Sequence, residues 1–211
     1  MNSLDYNLGR VRQTLAEQGL ADNTLVIYTS DHGCHFHTRK GEYKRSCHES
    51  SIHVPLVISG PGFEGGKVVE ELVDLMDLPP TLMQAADVDV PETMRGRPLQ
   101  ELTAGTARDW RQEHFFQLSE TVLGRGVRTA RWKYSVAHEG DPSAAWAQPD
   151  ATVYTEDFLY DLQADPAEQH NLVTYPDLAD VRAELAERLT ARMVQAGETE
   201  PRILPKQPES A

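Results

Sequence analysis

The sequence predicts an α/β fold, and two apolar runs are the main observation behind it. Residues 24–29 and 54–59 are continuous stretches of apolar and β-branched side chains. Such runs are typical of strands buried on both faces, as in a parallel sheet. The first run ends in Ser30-Asp31-His32-Gly33, so polar side chains follow a buried strand at its carboxyl end. Open α/β sheets place their sites at that edge.

Helices accompany these strands. Apolar residues recur at helical spacing over 4–15, and Gly19 is well placed to end that helix. A second helix is expected to begin near Asp77, because Pro79 and Pro80 fall in its first turn, where a missing N–H costs little. The fold predicted for this part is therefore a sheet with helices.

The pattern changes after about residue 105. Strand-like runs over 114–119, 126–135 and 158–162 follow one another without intervening helices, which favours an antiparallel sheet. An amphipathic helix is expected over 176–195, ended by Gly197. The predicted division is an α/β part over 1–105, a small α+β subdomain with antiparallel sheet and terminal helix over 106–197, and a flexible proline-rich tail over 198–211.

Composition excludes several function classes. The chain of 211 residues has 20 Lys+Arg and 33 Asp+Glu, so its formal net charge is −13. An acidic protein is repelled by nucleic acid and by anionic membranes, and neither is expected as a partner. No apolar run approaches the ~20 residues of a membrane span. Residues 1–5 have no basic or apolar signal-peptide segment, which leaves localisation unknown. Two cysteines cannot form a disulfide framework.

The densest chemistry lies between positions 32 and 53. Five of the eight histidines fall in this stretch together with Arg39, Lys44 and Arg45. Fixed positive charge with imidazole donors suits an anion, and a metal could hold one anionic oxygen. Asp31 offers a carboxylate and His32 a nitrogen, so by ligand chemistry the metal could be Zn, Mn or Ca. The alternative is a solvated polar loop in which Asp31 is only a turn residue.

Several motifs resemble the type I sulfatases of the alkaline-phosphatase-like superfamily. Residues 22–33 read DNTLVIYTSDHG and resemble the family's metal-site strand. Residues 41–62 resemble its lysine segment and the VPL…GPG strand that follows, with Lys44 lying 13 positions after Asp31. The stretches 74–82, 96–99 and 127–172 resemble its later helix, turn and C-terminal strands. The resemblance covers nearly the whole chain and implies a partial alkaline-phosphatase-like sheet.

The resemblance also implies site residues. Asp31 and His32 would be two ligands of a divalent metal, calcium by family, and Lys44 would bind and stabilise the sulfate oxygens. His48 and His37 are the nearest candidates for a proton donor, since imidazole titrates near neutrality. His37 and Arg39 are also candidates for contact with the substrate anion. The implied substrate is a small sulfate ester or a sulfated sugar.

The sequence departs from the family at the nucleophile. Sulfatases use a formylglycine made from Cys or Ser in a Cys/Ser-x-Pro-x-Arg motif, and no proline of this chain has that context. The family's Asp-Asp pair of metal ligands is also absent. We therefore expect a C-terminal portion of a sulfatase, inactive alone, that could pair with a missing N-terminal half. Family members are often exported, and we expect any export signal to lie in the missing N-terminal part.

Two alternatives stay open at this stage. The chain could belong to a phosphodiesterase or phosphonate hydrolase of the same superfamily, because sulfate and phosphate esters have similar shapes. It could also be a non-catalytic remnant that binds an anion or a partner. Whether the nucleophile is of Cys or Ser type, the identity of the substrate, and the roles of His37 and His48 are not fixed by these residues.

Overall fold

The computed structural model describes residues 2–39, 41, 43–63, 65–141 and 147–207. Contacts divide the chain into two compact units, one of residues 1–31 and 55–110, the other of residues 32–54 and 111–211. In chain order the helices and strands are α1 (Asn2–Glu17), β1 (Val26–Thr29), α2 (Glu49–Ile52), β2 (Leu56–Ser59), α3 (Leu78–Ala85), α4 (Gln100–Thr103), β3 (Glu113–Leu118), β4 (Gly124–Thr129), β5 (Trp132–Ala137), β6 (Val153–Asp161), α5 (Ala179–Ala196) and β7 (Arg202–Leu204).

The first unit holds α1, β1, β2, α3 and α4. Helix α3 begins as the prolines predict, with Pro79 and Pro80 in its first turn. The short 3₁₀ turn before it is fixed by a capping box, in which Asp74 accepts from the Met76 N–H and Asp77 accepts from the Asp74 N–H. These contacts pair two of the backbone N–H groups at the start of the 3₁₀ turn that leads into α3.

The strands of the first unit correct one expectation. β1 and β2 form a two-stranded sheet and pair antiparallel, with Val26 opposite Ser59 and Thr29 opposite Leu56. The parallel arrangement predicted for them is wrong, because apolar composition reports burial and not strand direction. β2 also alternates in exposure, and its Val57 is 61% exposed, so it is not buried on both faces.

The second unit is built on a five-stranded sheet of order β3-β4-β5-β6-β7. The pairs from β3 to β6 are antiparallel, as predicted, and β7 runs parallel to β6. Residues 126–135 were predicted as one strand but form the end of β4, a turn and the start of β5. Thr129 Oγ1 fixes that turn by accepting from the Trp132 N–H at 2.8 Å. β7 lies where a flexible tail was expected, and residues 208–211 of that tail lie outside the described residues.

Side-chain alternation gives this sheet two different faces. On one face Tyr134 of β5 and Leu159 of β6 pack with Leu185 and Leu189 of α5. Helix α5 is ended by Gly197, whose φ of 99° lies in the left-handed region. On the other face Tyr160 packs against a separate cluster that includes Cys47, Phe116 and Leu162. The segment 32–54 therefore contributes to the face opposite the terminal helix.

Along the described ranges of the chain, no helix combines the length and the apolar composition that crossing a bilayer requires.

Candidate functional site

Ser51 connects two parts of the histidine-rich segment of residues 32–54. The Gly33 N–H donates to the Ser51 carbonyl at 2.8 Å, and the Ser51 hydroxyl donates to the Lys44 carbonyl at 2.7 Å. A second hydroxyl, that of Ser46, lies 2.9 Å from Ser51 Oγ. Ser51 and Ser46 are both buried. The backbone beside His32 and the backbone of Lys44 are therefore tied to the same residue.

His32 and Lys44 line one cleft of about 220 Å³ in the second unit. Arg45 and Glu120 line it as well and form an ion pair with each other. The Lys44 Nζ lies 5.5 Å from the centroid of the Tyr43 ring, and no carboxylate in the described part of the chain pairs with it. An ammonium group beside an aromatic face and without a carboxylate partner is available to an anion that enters the cleft.

The orientation of His32 is set within its own segment. Its Nδ1 lies 2.7 Å from the Gly33 carbonyl oxygen, and its ring meets Tyr43 edge to face at 6.1 Å. When Nδ1 donates to that carbonyl, the proton is on Nδ1 and Nε2 carries the lone pair. Nε2 is then the nitrogen of His32 suited to a metal or to a substrate hydrogen.

The other predicted residues are not part of the described lining of this cleft. Arg39 donates to the backbone carbonyls of Glu168, at 2.6 Å, and of Ala167. His37 is exposed, with its Nδ1 2.8 Å from the Gly41 carbonyl. His48 is 3% exposed; its Nε2 lies 3.1 Å from the Tyr160 hydroxyl.

Asp31 ends the first stretch of the other unit, where it is exposed and its Oδ1 lies 3.4 Å from the Ser30 hydroxyl. Across the ranges that the structure describes, no three His, Cys, Asp or Glu side chains are grouped as a metal site requires. Asp31 and His32 supply two donors, whereas calcium takes six to eight oxygen ligands. Asp31 and His32 would therefore be only part of the ligand set of a calcium ion.

A buried ion cluster lies beneath the segment, and sequence reasoning missed it. Lys133 of β5 is fully buried, and its Nζ lies 2.6 Å from Glu49 Oε1 and 2.7 Å from Glu168 Oε1. Burial alone would raise the pKa of Glu49. The hydrogen bond from His53 and the charge of Lys133 outweigh burial and hold that pKa well below its ordinary value. Glu49 is therefore a carboxylate at neutral pH, paired with the buried ammonium of Lys133.

The buried cysteine of this unit, Cys47, does not have the features of a nucleophile. Cys47 is buried among Phe116, Tyr160 and Leu162, and burial raises the pKa of its thiol to about 12. A neutral, enclosed thiol is unreactive. Cys34 is half-buried, and its sulfur accepts from the Phe36 N–H at 3.4 Å.

Comparison with known proteins places the chain in a family. Residues 40–195 match a family model described as N-sulphoglucosamine sulphohydrolase, C-terminal. Arylsulfatase K of Rattus norvegicus is 31% identical over 185 residues, which cover 82% of this chain and 31% of the relative. The chain thus spans about a third of the length of the relative it matches.

Solved structures resemble the chain over nearly its whole length. A protein in complex with its substrate D-glucosamine-2-N,6-O-disulfate superposes with a TM-score of 0.72 at 26% identity, over 93% of this chain and 39% of that one. The phosphonate monoester hydrolase of Agrobacterium radiobacter superposes with a TM-score of 0.72 at 28% identity, over 90% of this chain and 39% of that one. The chain belongs to the sulfatase family and matches the C-terminal portion of its members.

Proposed function

We propose that this chain supplies the sulfate-binding lysine of a sulfuric ester hydrolase, and that the lysine is Lys44. One observation carries the proposal: Lys44 faces the same cleft as His32 and has no carboxylate partner among the described residues. A fixed ammonium beside a sulfuryl group stabilises negative charge on its oxygens as the ester bond breaks. Lys44 also lies inside the range 40–195 that the family model covers.

Asp31 and His32 are proposed as two ligands of a divalent metal, calcium by family resemblance. A bound divalent cation would polarise a sulfate oxygen. The remaining ligands and the formylglycine nucleophile would have to come from residues outside this sequence. His37 and His48 both stay predictions for the proton donor. Because His37 is exposed and His48 is buried, His37 is better suited to donate a proton to a leaving alkoxide.

The substrate class proposed is a sulfate ester of a sugar. It rests on the structural neighbour that was solved with D-glucosamine-2-N,6-O-disulfate. A second candidate is hydrolysis of phosphonate monoesters, favoured by the similarity to the Agrobacterium radiobacter enzyme. The DNA upstream of this reading frame separates the two: a Cys-x-Pro-x-Arg motif there favours sulfate, and a Thr or a Cys in another context favours phosphoryl or phosphonyl groups.

We expect no turnover from the 211-residue chain alone. Its sequence contains no Cys/Ser-x-Pro-x-Arg motif, so no residue can become the formylglycine that attacks sulfur. The measurement is release of the chromophore from an aryl sulfate in the presence of calcium, with a full-length sulfatase as the positive control. Turnover by the purified chain that disappears on chelation would contradict the proposal.

Replacement of Lys44 by Ala should weaken binding of inorganic sulfate by about tenfold or more, because a charge-assisted hydrogen bond contributes about 1.5–3 kcal/mol. Chemical-shift titration of the chain with sodium sulfate at constant ionic strength measures this. Lys44→Arg should retain most of the affinity, since the charge stays.

The matched control for that titration is Lys67→Ala, which removes an exposed lysine that donates to the Thr103 carbonyl in the other unit. Its sulfate affinity should equal that of the unmodified chain. Equal affinities for Lys44→Ala and Lys67→Ala would show that Lys44 is not the anion-binding group.

A further inference from the structure

We infer that Glu168 is the positioning residue for Lys44, an inference that rests on the proposed function of that lysine. Glu168 lies 124 positions beyond Lys44 in the chain and does not line the cleft. It contacts the segment 32–54 at two places, one on each side of Lys44. The Lys44 stretch is therefore held at both ends by a single residue of another part of the sequence.

The first contact is made by the backbone of Glu168. Arg39, five positions before Lys44, donates from Nη1 to the Glu168 carbonyl at 2.6 Å and from Nη2 to the Ala167 carbonyl. Two parallel donors from one planar guanidinium fix both distance and direction. Arg39 was predicted as a contact for the substrate anion, but in this arrangement its guanidinium orders the segment that carries Lys44.

The second contact is made by the side chain of Glu168. Its Oε2 accepts from the backbone N–H of Glu49, five positions after Lys44, at 2.8 Å. Its Oε1 lies 2.7 Å from Lys133 Nζ, which also holds Glu49 Oε1 at 2.6 Å. Both carboxylate oxygens of Glu168 are thus used, and the side chain is 2% exposed. A buried, charge-assisted network of this kind is stiff, because each broken contact leaves a buried polar group unpaired.

The backbone of Glu168 supports the same conclusion. Its φ of 53° lies in the left-handed region that favours glycine. A residue with a side chain persists in that conformation only where its surroundings over-determine it. In Glu168 this conformation is fixed by the contact of Arg39 with the carbonyl and by the contacts of Glu49 and Lys133 with the carboxylate.

Two substitutions that change the net charge in opposite directions test the inference. Arg39→Ala removes a positive charge and Glu168→Gln removes a negative one. If simple charge decided sulfate binding, Glu168→Gln would bind inorganic sulfate more tightly. If position decides, both variants bind it more weakly, by about tenfold, and both speed backbone amide exchange over residues 39–49 by a similar factor. Arg39→Lys keeps a donor to the carbonyls and should recover part of both losses.

The controls distinguish global unfolding of the chain from a local displacement of the segment that carries Lys44. Amide exchange within α5 reports global stability and should not change; Arg202→Ala, which removes an exposed arginine of β7, should change neither exchange nor sulfate binding. Arg39→Ala buries no unpaired carboxylate, so it remains informative if Glu168→Gln does not fold.

Unchanged exchange over 39–49 in Arg39→Ala would overturn the inference. So would faster exchange with sulfate affinity at the level of the unmodified chain. If the unmodified chain itself gives no sulfate titration, the proposed function of Lys44 falls and the positioning role falls with it. That result differs from the first two, in which the unmodified chain binds sulfate.

Discussion

Replacement of Lys133 by Met is expected to be among the most destabilising single changes in this chain. The ammonium of Lys133 is fully buried and lies within 2.7 Å of carboxylate oxygens from both Glu49 and Glu168. Its removal leaves two carboxylates close together at a buried site without a cation. Breaking a buried ion pair from one side costs about 3–5 kcal/mol, a large share of the roughly 5–15 kcal/mol that stabilises a typical domain.

Urea unfolding followed by tryptophan fluorescence measures the loss, since Trp132 adjoins Lys133 in β5. The matched control is Lys206→Met, which breaks a partly exposed ion pair, 3.3 Å from Lys206 Nζ to Asp157 Oδ1, and should change the unfolding free energy by about 0–1 kcal/mol. The combination of Lys133→Met with Glu49→Gln and Glu168→Gln should recover part of the loss, because it removes the unpaired charges. Equal unfolding midpoints for Lys133→Met and Lys206→Met would refute the role of the cluster.

Local chemistry decided which elements the sequence could predict. The start of α3 was predictable because proline is favoured in the first turn of a helix, where its missing N–H costs little. The end of α5 was predictable because glycine readily takes the left-handed φ that ends many helices, as Gly197 does. The turn between β4 and β5 was missed because Ala130-Arg131 carries no Gly, Pro or Asn; the Thr129 side chain fixes it instead. β7 was missed because prolines flank it and its stabilising partner, β6, is distant in sequence.

The same limit applies to the site. The family resemblance assigned Asp31, His32 and Lys44 to one site, and of these three residues His32 and Lys44 line one cleft. The residues that hold the segment were not visible, because a lysine in a strand and a glutamate in a turn are ordinarily exposed. Only the fold of the second unit brings Lys133 and Glu168 to Glu49. The sequence thus indicated two residues that line the cleft, and tertiary structure was needed to find the buried groups that contact their segment.

Replacement of Gly33 by Ala should separate the backbone at Gly33 from the backbone at Ser50 and so distort the cleft. A Cβ added at Gly33 would lie 2.1 Å from the Ser50 carbonyl oxygen and 2.9 Å from its carbon, both backbone atoms that no rotamer change can move. The chain must separate there, and the 2.8 Å hydrogen bond from Gly33 to Ser51 would be lost. Since Ser51 also holds the Lys44 carbonyl, we expect a loss of about 1–3 kcal/mol in unfolding free energy together with weaker binding of inorganic sulfate.

Gly41→Ala is the matched control, because it lies in the same segment and a Cβ there has no neighbour within 4 Å. It should stay within about 0.5 kcal/mol of the unmodified chain. Urea unfolding gives the stabilities, and sulfate titration of the folded proteins gives the effect on the cleft. If Gly33→Ala matches Gly41→Ala in both measurements, the close approach of Gly33 to Ser50 does not hold His32 and Lys44 together. A loss confined to Gly33→Ala would instead link the packing of one glycine to the capacity of the cleft to bind an anion.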